Sequence, residues 1–163
     1  MHTLFVIKQE EYRENIEKIV SHAAGKYEKV CYISFNDPYH VVIEMLRNFK
    51  GHEKFIVIDA SGDFKEKQEL DRTTYVLPIT HLFDVYLFLR NLIKQEGIEL
   101  LLLDSLSALI YKHNQLPLKE MMTNLLLEVG TLRCGSSIVV FKGDIGHEVV
   151  THLNPFFGQS FIL

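Results

Sequence analysis

A regular alternation of short apolar segments and amphipathic segments is the feature that most constrains the fold of this chain. The segments between the apolar ones carry apolar residues at helical spacing. The predicted strands are mostly apolar on both faces, which is typical of parallel strands covered by helices on both sides. We predict an α/β fold with three layers, αβα, around a mostly parallel sheet. The strand predictions fall on "TLFVI", "KVCYISF", "KFIVIDA", "IELLLLD" and "SSIVVFK".

Local signals place several boundaries between these elements. Asp37 is predicted to cap a helix that has Pro38 at its first position. Gly97 is predicted to end the helix that begins after Thr80. Residues 61–74 are predicted to form a polar loop, and the tail from His147 onward is predicted to form one or two further short strands.

Length and composition indicate one ordinary globular domain, residues 1–163. A net charge of −4 argues against a general nucleic-acid binder, because such proteins usually present a basic face. Cys31 and Cys134 are expected to be free thiols in a reducing compartment. The sequence shows no signal peptide and no apolar run of membrane-spanning length, so we expect a soluble cytoplasmic protein without a membrane partner.

Polar residues follow several predicted strands, at the sheet edge where ligands of parallel α/β proteins usually bind. These residues are Lys8, Asn36, Asp37, Asp59, Asp104, Ser105, Lys142 and Asp144.

The order of the segments resembles that of the RecA-like ATPases, which have the P-loop NTPase architecture. The closest resemblance is to their archaeal and bacterial branch typified by the circadian-clock KaiC-like proteins. It covers almost the whole chain and rests on "KVCYISFNDPYHVVIEML", "IELLLLDSLSALI", "SSIVVFKGDIGHEV" and "HLNPFFGQSFIL". The second of these looks like the Walker B strand with its trailing Asp-Ser. The resemblance implies that Asp104 stands where a relative holds the carboxylate that faces Mg²⁺.

The amino-terminal part departs from this family. A phosphate loop, G-x-x-x-x-G-K-[ST], should follow the first strand, because its backbone N–H groups cradle the phosphates. Here "KQEEYRENIEKI" follows instead, and no glycine occurs from Met1 to Ala24. Glu10, Glu11 and Glu14 would repel a triphosphate, and Lys8 is the only nearby cation.

Each remaining candidate has two interpretations. Relatives place a glutamate that orients water after the second strand, where this chain has Asn36 and Asp37. We interpret Asp37 as a helix cap rather than a catalytic base. Asp104 is either a magnesium ligand or a structural acceptor at the strand exit, bonded for example to Ser105 or Ser107, and we favour the structural role. If a nucleotide binds, Lys8, Asn36, Asp104 and Ser105 are the candidate contacts.

No metal site is expected among the eight histidines. His147 and His152 lie five residues apart and would face opposite ways in a strand. The sequence also lacks the G-x-S-x-G elbow of serine hydrolases and the glycine-rich turn of dinucleotide folds.

Two functional hypotheses follow. In the first, the chain is a degenerate, non-catalytic RecA-like domain without a cofactor, which acts through a protein partner or through self-association. The aromatic residues of "NPFFGQSF" could form part of such a surface or belong to the core of an edge strand. In the second, the chain binds ATP and Mg²⁺ at an atypical phosphate site completed by a partner.

Overall fold

The computed structural model of the protein describes residues 1–163 as one eight-stranded sheet with six α-helices. The strands are β1 His2–Ile7, β2 Val30–Ser34, β3 Phe55–Asp59, β4 Gln68–Asp71, β5 Thr74–Val76, β6 Leu100–Asp104, β7 Gly135–Phe141 and β8 Gln159–Ile162. The helices are α1 Tyr12–Lys26, α2 Tyr39–Leu46, α3 Leu82–Glu96, α4 Leu106–Lys112, α5 Gln115–Thr131 and α6 Glu148–Leu153. The strand order is β4-β5-β3-β2-β6-β7-β1-β8, and only β4 runs antiparallel to its neighbour.

Helices cover both faces of the sheet, which confirms the predicted three-layer α/β architecture. Side chains alternate along each strand, so Leu101 and Leu103 of β6 face the layer built by α3 to α6. Leu100 and Leu102 face the opposite layer, built by α1 and α2. Because both faces are buried, the central strands need apolar residues at almost every position, and this is the pattern that the sequence shows.

The direction of strand addition changes between β2 and β6. From β2 the chain continues to β3 and β5 on one side, and from β6 it continues to β7 on the other. Ser34 at the end of β2 pairs with Asp59 of β3 and with Asp104 of β6, so three strand ends form one row. In open α/β sheets a crevice beyond such a reversal is the usual place for a ligand.

The predicted cap of α2 is wrong. Pro38 is the residue before the helix, and α2 begins at Tyr39 without a side-chain bond from its own flanking residue. The backbone N–H of Tyr39 instead donates to Oδ2 of Asp59, at 2.8 Å. Asp59, at the end of the neighbouring strand β3, therefore caps α2 in place of Asp37.

Two segments have more regular structure than predicted. Residues 61–74 contain β4, which forms an antiparallel pair with β5. The tail after His147 forms α6 before β8, so His147 precedes a helix and His152 lies inside it. The predicted strand geometry of these two histidines is therefore wrong, and His152 lies 3.1 Å from the hydroxyl of Thr123.

The helix prediction at Gly97 is confirmed. This glycine ends α3 in the left-handed conformation, with φ +65°, which residues with a Cβ adopt only at a cost.

None of the six α-helices combines the length and apolar character that a membrane span requires.

Candidate functional site

Asp104 is the last residue of β6 and is fully buried. It continues the alternation of Leu100 and Leu102, so its carboxylate lies on the sheet face covered by α1 and α2. A buried carboxylate must be hydrogen-bonded or neutralised, because leaving water is costly for a charge. The partners of Asp104 therefore decide what this position can do.

Three side-chain donors surround the Asp104 carboxylate. The hydroxyls of Tyr12 and Tyr32 both donate to Oδ2, each at 2.5 Å. The amide Nδ2 of Asn36 donates to Oδ1 at 2.9 Å and lies 3.1 Å from the hydroxyl of Ser105. We call Tyr12, Tyr32, Asn36 and Asp104 the carboxylate cluster.

The two tyrosines reach Asp104 from different elements. Tyr12 is the first residue of α1, and only Lys8 and the short 3₁₀ turn Gln9–Glu11 separate it from β1. Its ring packs edge-to-face against Phe141, with 5.8 Å between centroids. Tyr32 lies within β2, is 1% exposed, and points to the same sheet face as Asp104. A buried tyrosine hydroxyl normally finds a partner, and here both share one carboxylate oxygen.

Burial controls the protonation of this cluster. It raises the pKa of Asp104 to about 6, although the hydrogen bonds from Tyr12, Tyr32 and Asn36 oppose that rise. Burial and the adjacent Asp104 carboxylate raise the pKa of both Tyr12 and Tyr32. The phenols therefore stay neutral donors at pH 7, where the Asp104 carboxylate is mostly ionised.

Neither serine that was predicted to contact Asp104 donates to its carboxylate. Ser105 precedes α4, and its hydroxyl accepts from the N–H of Ala108 at 3.3 Å, which is an N-cap interaction. Ser107 accepts from the N–H of Phe141 at 2.8 Å and so ties α4 to the end of β7. Asp104 accepts hydrogen bonds at the end of β6, but its donors are two phenols and an amide rather than serine hydroxyls.

Asp37 and Lys8 lie at the margin of the cluster. Asp37 is 3.5 Å from the Tyr12 hydroxyl and 3.7 Å from the guanidinium of Arg13. Lys8 is exposed and pairs with Glu11 of the following turn, at 3.0 Å. The cluster itself contains no cation, because Arg13 reaches Asp37 and Lys8 turns to Glu11.

The other predicted edge residues are used separately. Asp59 accepts from the N–H of Tyr39 and from both the N–H and the hydroxyl of Ser61. Asp144 accepts from the hydroxyl of Tyr111 at 2.8 Å. The structure thus brings Asn36, Asp104 and Ser105 together and leaves Asp59 and Asp144 in separate hydrogen-bond groups.

A cleft of about 690 Å³ opens beside the carboxylate cluster. Its walls include Lys8, Asn36, Tyr111, Lys142 and Asp144. A larger cleft of about 1310 Å³ lies elsewhere, between α3 and the segment around residues 62–69. We take the smaller cleft as the candidate site, because it borders the strand ends at which the order of the sheet reverses.

Sequence reasoning did not identify Tyr12 and Tyr32 as site residues. In the sequence Tyr12 falls at an apolar position of the helical pattern that follows the first strand, and Tyr32 lies in the apolar strand "KVCYISF". One signal was available: a tyrosine inside a strand apolar on both faces needs a hydrogen-bond partner, and a neighbouring strand ends in an acid.

The chain has the fold of a KaiC-like protein, with eight strands in a mostly parallel sheet between two layers of helices. A solved structure of a KaiC-like protein from the hyperthermophilic archaeon Pyrococcus horikoshii OT3 is similar to this chain, with a TM-score of 0.72. The alignment covers 99% of this chain and 70% of that one at 8% identity, so it establishes the fold alone. No protein-family model and no curated protein sequence matches this chain.

Proposed function

We propose that this chain is a cytoplasmic, non-catalytic RecA-like domain that acts as a protein-interaction or regulatory module. The observation that carries the proposal is the occupation of the Asp104 carboxylate by two phenols and an amide. The position that resembles a Walker B acid is used here to hold α1, β2 and β6 together.

Magnesium coordination would require this cluster to open. Mg²⁺ needs oxygen ligands at about 2.0–2.1 Å in an octahedral arrangement. The hydroxyls of Tyr12 and Tyr32 stand 2.5 Å from the Oδ2 atom that would face such an ion. A metal at Oδ2 would have to displace both donors, one of which is completely buried.

The connection between β1 and α1 offers little to a triphosphate. Lys8 alone links β1 to the 3₁₀ turn, so this connection has no long loop of backbone N–H groups. Glu10 and Glu11 lie within the turn, and the Lys8 ammonium is paired with Glu11. The local charge therefore disfavours a phosphate where the family would bind one.

Isothermal titration of the chain with ATP and Mg²⁺ tests this proposal. We expect no binding heat at nucleotide concentrations up to about 1 mM, which corresponds to a binding free energy weaker than about −4 kcal/mol. A thermal shift series serves as a second readout, because a ligand at 100 times its Kd stabilises by about 2.7 kcal/mol. Binding in the micromolar range would contradict the proposal.

The alternative is a nucleotide-binding protein or weak ATPase with an atypical phosphate site, completed by a partner subunit. The observation that favours it is Lys142, a cation in the cleft beside the cluster; Glu10 and Asp144 line the same cleft. Lys142→Ala distinguishes the two functions. Under the alternative it weakens ATP binding, whereas under the proposed function there is no ATP binding to weaken.

A further inference from the structure

The two edges of the sheet differ in how they are protected against pairing with another strand. β4 carries Glu69 and Asp71, and its pairing with β5 is irregular between them. Charges and irregular pairing are common ways to keep an edge strand from pairing with another molecule. β8 has neither, because all its residues are uncharged and exposed and its pairing with β1 is regular.

Exposed apolar side chains concentrate at the β8 edge. The chain has ten exposed large hydrophobic residues, and four of them lie on or beside this edge. They are Met1 at 67%, Phe161 at 45%, Ile162 at 73% and Leu163 at 37% exposure. Phe161 also stacks on Phe5 of β1, with 5.5 Å between ring centroids. An apolar strip beside an open strand is typical of an interaction surface.

We propose that β8 pairs with β8 of a second copy of this chain. The inference rests on the proposed function, for which it supplies the surface and the partner. No charged side chain occurs from Leu153 to Leu163, whereas the whole chain carries a net charge of −4. Two copies of an acidic chain repel each other least where the contact is uncharged, so this edge favours a second copy over a strongly charged partner.

Symmetry fixes the direction of the pairing. A two-fold axis along the strands would place each outward N–H opposite the same N–H of the other copy, where no hydrogen bond can form. A two-fold axis perpendicular to the sheet makes the strands antiparallel and brings N–H groups opposite carbonyl groups. With that axis at Phe161, this residue faces its counterpart and Ser160 faces Ile162 of the second copy. The Phe5 and Phe161 rings of both copies then form one continuous row on the same sheet face.

Sedimentation of the full chain at concentrations up to about 100 µM, where even a weak interface with micromolar Kd is populated, tests this proposal. We expect a dimer that Ile162→Lys converts to a monomer, because the two introduced lysines lie on the shared edge. Leu70→Lys is the matched control: Leu70 is 42% exposed on β4, the opposite edge, and its change should leave the dimer intact. Circular dichroism and the melting temperature of each variant verify that the fold is retained.

A second variant tests the register. Ser160→Glu combined with Ile162→Lys places opposite charges across the two-fold axis, so the dimer should return at low salt and dissociate at high salt. A monomeric wild-type chain, or a dimer that survives Ile162→Lys, would overturn the proposal. A double variant that remains monomeric would overturn the axis at Phe161. The ATP titration is independent of these results, because micromolar ATP binding would reject the proposed function whatever the oligomeric state.

Discussion

Asp59 and Asp104 end two buried strands that lie on either side of β2, and both pair in register with Ser34. Both are almost completely buried, at 1% and 0% exposure. Asp59 accepts from backbone and hydroxyl donors of Tyr39 and Ser61, which lie 20 and 2 residues away in the sequence. Asp104 accepts from Tyr12, Tyr32 and Asn36, which lie 92, 72 and 68 residues away.

The same sequence pattern, an apolar strand that ends in an acid, therefore serves two different purposes. Asp59 accepts from the first N–H of α2 and from Ser61 in the turn after β3, so its role is to fix the two segments that flank β3 in the chain. Asp104 joins α1, β2 and β6, so its role is tertiary. Both acids occupy the same position in their strands. Their roles differ because the fold brings different hydrogen-bond donors to each carboxylate.

The largest expected effect comes from removing the acceptor at Asp104. Asp104→Ala leaves the buried hydroxyl of Tyr32 without a partner, at about 1–3 kcal/mol for an unsatisfied group. The half-buried hydroxyl of Tyr12 keeps only Asp37, at 3.5 Å. Asp104→Asn also removes the charge but keeps an acceptor oxygen. We expect the alanine variant to be less stable than the asparagine variant by about 1–3 kcal/mol in urea unfolding. Equal stability of the two variants would show that the tyrosines do not depend on this residue.

The pH dependence of stability should give the next largest effect. Asp104 has a folded pKa of about 6, above its value of about 3.9 in an unfolded chain. A raised carboxyl pKa means that the folded state binds the proton more tightly, so stability increases as the pH falls through about 6 and levels off below about 4. Between pH 7.5 and 4.5 this contribution amounts to about 2 kcal/mol.

Asp104→Asn isolates this contribution from the other titrating groups. The difference in unfolding free energy between the wild-type chain and this variant should change by that amount over the same pH range. A difference that stays constant with pH would mean that the Asp104 pKa is not raised in the folded protein.

The smallest expected effect is at Asp59. Asp59→Ala removes the acceptor for the first N–H of α2, and loss of a helix cap costs about 0.5–2 kcal/mol. Asp59→Asn retains an acceptor oxygen and should recover most of that stability. The comparison between the two acids would fail if Asp59→Ala destabilised the chain more than Asp104→Ala did.

The sequence was sufficient for the parts of the fold that depend on local pattern. The five strands and the end of α3 at Gly97 follow from apolar runs and backbone preference, and the structure confirms them. The short helix α6 was missed because six residues give too little periodicity to separate a helix from a strand. β4 was missed because its exposed charged residues resemble those of a loop.

The candidate site was less predictable than the fold. The parallel topology predicts that Asn36, Asp104 and Ser105 lie together, because all three lie at strand ends on the same edge of the sheet. The contacts of Asp104 with Tyr12 and Tyr32 could not follow from it, because they depend on where α1 and β2 lie in three dimensions. The wrong cap at Asp37 has the same origin, since Asp59 reaches α2 from an adjacent strand.

The place of β1 in the sheet has a consequence for the order of folding. β1 lies between β7 and β8, so residues 2–7 pair only with segments that begin at residue 135 or later. At a synthesis rate of about 5–20 residues per second, β1 leaves the ribosome about 6–26 s before β7 does. The first strand to be synthesised is therefore among the last to pair in the sheet. Until β7 is synthesised, this apolar segment has no strand partner. Contacts this distant in sequence also predict slow refolding compared with a helical domain of similar size.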